Sequence, residues 1–226
     1  LLEEVWANIT AGIDTYLLLE MPDRFYALKE VVYFLDFLRN KRGFNDKEQE
    51  VASRITDYMT KHAGRELDDY IAGLPPYAVH ERCNLYWERA GIVKRYESPY
   101  NFDKVYSLLQ DAKDTYRVNG NFINYARFDL EIADEALAVQ RWDVLHTHAV
   151  LAEQSLARLK NYPVASEFFL RLAYYWAALQ DFPKACHYFK LFRKTGISID
   201  HYALWMQDYY RALETLCTQP SREARG

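Results

Sequence analysis

Apolar positions along this 226-residue chain recur at three- and four-residue spacing, the period of one helical face. Leu28, Val31, Val32, Leu35 and Leu38 set the pattern within 24–41, where Asp23 can cap the start and Gly43 can take the left-handed turn beyond the end. Asn45 with Glu48 three residues on has capping-box spacing and opens a segment that runs to Gly64. A short piece, Glu66 to Ala72, stops at Gly73 and the Leu74-Pro75-Pro76 break, and Ala78 to Tyr96 ends at Ser98-Pro99. Breakers and caps of this kind predict about eleven helical segments.

Beyond residue 100 the pattern acquires a fixed period. Aromatic residues stand at Phe102, Phe122, Trp142, Tyr162, Phe182 and Tyr202, one every 20 residues, preceded by Asn101, Asn121, Arg141, Asn161, Asp181 and His201. Asn and Asp before an apolar run are helix-start chemistry, because their side-chain oxygens accept free backbone N–H groups of the first turn. One helix and one short loop fill each period, and two make a hairpin of 40 residues. Such repetition predicts stacked hairpins that bury their apolar stripes only against their neighbours.

The clearest copy, residues 166–194, places Leu172, Ala173 and Trp176 on a first helix, Gln180-Asp181-Phe182 at a turn, and Ala185, Phe189 and Phe192 on a second. Shifting back by 40 gives Ile132, Ala133, Ala136, Trp142, Leu145, Ala149 and Ala152, and a further shift gives Ile92, Val93, Tyr96, Phe102, Val105, Leu109 and Ala112. This arrangement resembles the tetratricopeptide repeat, with a period of 40 in place of 34, Ile197 where a closing Pro is usual, and Ala where Gly follows the second consensus Leu. The resemblance implies an all-α fold, a right-handed superhelix (TPR-like solenoid) of stacked helical hairpins. It divides the chain into N-terminal helices over 1–76, a further repeat or a cap; three hairpins over 77–217; and a flexible tail over 218–226. The last helix, His201 to Leu216 with Trp205 and Tyr209, would close the stack.

Composition narrows the function. Residues 1–100 hold 13 basic and 17 acidic side chains and residues 101–226 hold 15 of each, so neither half has the basic excess of a phosphate-backbone binder, and direct nucleic-acid binding is not expected. The 19 Tyr, 12 Phe and 5 Trp predict packing built on large rings. Cys83, Cys186 and Cys217 are odd in number and far apart, which suggests free thiols in a reducing, cytoplasmic setting. No apolar run suits a membrane span or a signal peptide. The chain opens on Leu rather than Met, which leaves room for a domain upstream.

No catalytic, cofactor or metal constellation stands out. His146 and His148 flank Thr147, but side chains two apart on a helix diverge. Arg141 and His146 have the Arg-x4-His spacing of HEPN ribonucleases, helical proteins that act as homodimers. The repeat resemblance instead implies a groove lined by first helices, which carries onto Arg127, Leu130, Glu131 and Asp134 and onto Glu167, Leu170, Arg171 and Tyr174. Such a groove would bind a peptide or another protein, with Arg127 and Arg171 holding carboxylates or carbonyls, Tyr174 a rigid contact, and Glu131 and Asp134 reading basic groups. The bland alternative is that Arg127 with Glu131, and Glu167 with Arg171, neutralise each other at i, i+4. Competing expectations are the sensing domain of a transcriptional regulator and the helical ribonuclease.

Overall fold

A computed structural model of the chain describes residues 2–159 and 163–218. The described residues form eleven α-helices and no strand: α1 (Leu2–Leu18), α2 (Asp23–Arg42), α3 (Asp46–Tyr58), α4 (Gly64–Gly73), α5 (Val79–Tyr96), α6 (Phe102–Val118), α7 (Phe122–Ala138), α8 (Trp142–Leu159), α9 (Ala165–Ala178), α10 (Phe182–Lys194) and α11 (Leu204–Thr218). The chain divides into two compact units, 1–112 and 113–226, with the division inside α6.

In the first unit α1 packs on α2, α2 on α3, and α4 on α5. Ile13, Phe25, Leu28, Leu35, Ile55, Met59 and Leu67 fill its core. The capping box forms as expected: Asn45 Oδ1 accepts from the Glu48 N–H and Glu48 Oε2 from the Asn45 N–H, both at 2.9 Å. Two boundary expectations are corrected. Asp23 lies inside α2 rather than capping it, since Pro22 occupies the cap position. Gly64 does not stop a helix; one π-helical turn, Met59–Ala63, runs directly into α4 through it. Gly64 is needed for closeness instead, because a Cβ there would lie 2.9 Å from Arg89 Cζ. The Arg89 guanidinium cannot withdraw, being bonded to Asp68 at 2.9 and 3.1 Å and to Glu97 at 2.5 Å.

In the second unit α7 packs on α8 and α9, α8 on α9, α9 on α10 and α11, and α10 on α11. The 20-residue period marks helix starts at Phe102, Phe122, Trp142 and Phe182, each of which opens a helix. Tyr202 is a correction, since it is extended after a single 3-10 turn at Ile199–His201 and the last helix begins at Leu204 rather than His201. Asn101, Asn121 and Asp181 accept the backbone N–H three residues on, at 3.0–3.2 Å. The same period sets helix ends. Gly120, Gln140 and Gln180 all have left-handed φ, at 73°, 59° and 65°. Behind each, the next N–H reaches the carbonyl five residues back: Asn121 to Tyr116, Arg141 to Ala136 and Asp181 to Trp176, at 2.8–3.1 Å. This Schellman closure followed at once by a new helix start folds each pair into a tight hairpin. Asn161 and Tyr162 lie outside the described residues, as does 219–226 of the expected tail.

Of the twenty-one positions in the three copies, the buried ones include every Ala, Leu, Ile and Val, together with Trp176, Phe189 and Phe192. Trp142 and Phe182 depart from packing built on large rings, for they remain 47% and 48% exposed. At the first position of a helix a side chain projects past the hairpin end, and the buried stripe starts three residues later, at Val105, Leu145 and Ala185. Ala133, Ala173, Ala152 and Ala185 have no exposed surface and allow close helix approach.

The cysteine expectation is also corrected. Cys186 and Cys217 form a disulfide with Cα atoms 5.4 Å apart, because α10 and α11 pack together, and Cys83 is buried outside any disulfide, its thiol donating to the Ala112 carbonyl at 2.8 Å. Among the described residues no helix is long and apolar enough to cross a membrane.

Candidate functional site

The eight expected groove residues all sit on α7 and α9, which are neighbours. Their roles differ from one another. Leu130 and Leu170 have no exposed surface and belong to the core rather than to a groove wall. Arg171, expected to face a ligand, is 1% exposed. Its guanidinium bonds Glu131 at 3.1 Å, Glu167 at 2.9 Å and Asp134 at 2.5 Å, and donates to the Tyr175 hydroxyl at 3.1 Å. Trp205 of α11 lies 5.4 Å from Arg171 Cζ, and Tyr209 stacks on Tyr174 at 3.6 Å with the rings 7° from parallel.

Two of these ion pairs have the same sequence separation. Arg127 bonds Glu167 at 2.9 Å and Glu131 bonds Arg171 at 3.1 Å, each across 40 residues. Equivalent positions of successive hairpins therefore face one another, and the charge sign is inverted from one copy to the next so that they attract. The i, i+4 alternative holds for Glu167 with Arg171; Arg127 pairs across the hairpins instead.

Burial dominates the electrostatics. Removal from water alone would depress the Arg171 guanidinium, but Tyr175, Asp134, Glu131 and Glu167 hold it well above its ordinary value. Burial raises the Asp134 carboxyl, and Arg171 pulls in the other direction without reversing it. The Tyr175 hydroxyl is raised by burial and donates to Asp134 at 2.6 Å. A neutral Tyr175 and a permanently charged Arg171 make a fixed polar core under the α7–α9–α11 row.

Beside it the surface opens. A cleft of about 450 Å³ is lined by Ile123, Arg127, Pro163, Val164, Ser166, Glu167 and Tyr202. Arg127 has a side chain 47% exposed and is the one cation among the described residues of its lining. At its other end the Ser166 and Tyr202 hydroxyls are 2.6 Å apart. The cleft thus offers a guanidinium paired with the Glu167 carboxylate, a hydroxyl pair and apolar walls, which suits a short polar ligand with an apolar part.

The remaining sequence candidates separate. His148 is buried against Asp129, with Nδ1 2.7 Å from Oδ1, and Lys113 reaches the same oxygen at 2.6 Å. His146 is exposed and meets the Trp176 ring edge-on, so the two histidines diverge as their spacing requires. Arg141 bonds Asp143 at 3.4 Å. Among the described residues no three His, Cys, Asp or Glu are grouped to hold a metal. Tyr175, Ser166, Tyr202 and Trp205 were missed by the groove reading. Their signal is weak, since a Tyr in an aromatic run gives no hint of which hydroxyl will be buried. Comparison with family models, curated proteins and solved structures yields no match.

Proposed function

We propose that this chain is a protein- or peptide-binding scaffold of TPR-like stacked hairpins, whose working surface is the row of first helices α7, α9 and α11. The observation that carries it is the pair of 40-residue ion pairs, which is what stacking of equivalent helices would produce. Roles within the row are divided. Arg171, Glu131, Asp134 and Tyr175 fix the helices in register; Arg127, Ser166 and Tyr202 meet the ligand at the cleft. Arg127 would hold a ligand carboxylate or carbonyl, and Ile123, Pro163 and Val164 would cover an adjoining apolar side chain.

Selection of peptides on the whole chain from a random displayed library, followed by titration calorimetry, tests this. Enriched peptides are expected to lose at least about tenfold in affinity for Arg127→Glu, about 1.4 kcal/mol, and a comparable amount for Tyr202→Ala. Enriched peptides that bind both variants as tightly as the parent would remove the cleft from the function.

A further inference from the structure

We infer that the first unit carries a separate docking surface for a short acidic peptide segment containing aromatic residues, formed by one stripe of α2 and one of α5. On α2, Lys29, Tyr33, Phe37 and Lys41 follow at four-residue intervals and share one face. On α5, Trp87, Gly91 and Arg95 do the same. Cation–ring contacts join the stripes: Lys29 Nζ lies 5.5 Å from the Tyr33 centroid and 6.0 Å from that of Trp87, and Arg95 Cζ lies 6.0 Å from Tyr33. Lys41 extends the surface at 5.8 Å from Phe37.

The rings of this surface lie outside the apolar core of α2. The core face of α2 is the other stripe, Phe25, Leu28, Val31, Leu35 and Leu38, all buried. Tyr33, Phe37 and Trp87 by contrast stay 44%, 45% and 49% exposed. Exposed rings gathered in one place on a folded unit mark contact surfaces more often than scattered ones do. Gly91 points the same way. Gly inside a helix costs about 1 kcal/mol relative to Ala, yet a Cβ at 91 would meet nothing within 4 Å, unlike that at Gly64. No internal neighbour demands it; what it does is leave a shallow gap between Trp87 and Arg95.

Charge selects the occupant. Lys29 is balanced by Glu88, whereas Lys41 and Arg95 have no carboxylate partner among the described residues. The surface therefore presents two cations outside any ion pair among the described residues, with Asp36 lining the same cleft as Arg95, among three rings. Carboxylates complement the cations and flat apolar groups complement the rings, and from Lys29 to Lys41 the stripe spans about 18 Å, enough for roughly five extended residues. A single-stranded nucleic acid would also stack on the rings. It would, however, bring one negative charge per nucleotide towards residues 1–100, whose net charge is already 13 − 17 = -4. A segment with two carboxylates matches the two cations one for one and does not call for the continuous basic track along which a phosphate backbone is held.

Fluorescence anisotropy of the whole chain with a labelled hexapeptide of alternating Glu and Phe tests the inference. Binding is expected, with at least about a tenfold loss in Lys41→Glu and in Arg95→Glu and a similar loss in Tyr33→Ala, while circular dichroism stays unchanged and Arg127→Glu binds normally. A peptide of alternating Lys and Phe is expected not to bind. The inference is overturned by the absence of an anisotropy change, by equal affinity in the α2 and α5 variants, by tighter binding of labelled oligo-dT, or by a loss confined to Arg127→Glu. That last outcome would assign the peptide to the cleft of the second unit and leave the proposed scaffold function standing.

Discussion

Replacing Arg171 with Met lowers the unfolding free energy by about 3–5 kcal/mol, because it leaves the Asp134 carboxylate, and Glu131 beside it, without the buried guanidinium, while Glu167 keeps only Arg127. The Met side chain keeps most of the apolar stem, so lost packing contributes little and the uncompensated carboxylates carry the effect. Urea unfolding followed by circular dichroism measures it. The deficit also depends on pH. Asp134 is already raised by burial, and without the guanidinium its folded pKa rises further above the unfolded value of about 3.9. A folded pKa above the unfolded one favours folding below the unfolded pKa and loses that advantage as pH rises through the folded value. The variant is therefore expected to be closest to the parent near pH 4 and to fall behind it towards pH 7. A loss below about 1 kcal/mol at pH 7 would show that the network contributes no more than an exposed ion pair does.

Opening the Cys186–Cys217 bond costs the second unit about 3–4 kcal/mol. The sequence separation of 31 sets the estimate, through the loop-closure entropy that the bond removes from the unfolded chain. The bond fixes α10 to α11, and α11 supplies the Trp205 and Tyr209 contacts to Arg171 and Tyr174. Thermal unfolding with and without a phosphine reductant, repeated on Cys217→Ser, measures the effect. The melting transition is expected to fall by about 6–16 °C with reductant in the parent and by nothing further in the variant. An unchanged parent transition would mean that the bond closes no loop that matters to stability.

Local structure was largely legible in the residues. The 20-residue placement of Asn101, Asn121 and Asp181 marks helix starts because a side-chain oxygen next to a free N–H acts over three residues, within reach of a pattern. The all-α architecture and the buried small-residue stripe follow in the same way. The left-handed Gln140 and Gln180 were less visible, since Gln is an unusual choice there and only the repeat register gives them away. Gly64 misled because a helix-breaking composition and a close approach to Arg89 write the same letter.

The site was half legible for a related reason. Arg127, Glu131, Glu167 and Arg171 carry the sign inversion at spacing 40 openly in the sequence. Whether a charged residue faces solvent or a neighbouring helix depends on the rotation of each helix about its axis by a few tens of degrees. A periodic pattern does not fix that, and Arg171 turned inward while Arg127 stayed half-exposed. The Cys186–Cys217 pairing is likewise set by helix packing, to which an odd count of distant cysteines gives no clue.

Zero-length carbodiimide coupling of the Arg127→Lys variant, mapped by mass spectrometry, tests most directly whether equivalent positions of successive hairpins face each other. The amine introduced at 127 is expected to form its amide with Glu167, 40 residues away. An amide to Glu131, four residues along the same helix, with none to Glu167, would contradict the stacking of α7 on α9 on which the proposed binding surface depends.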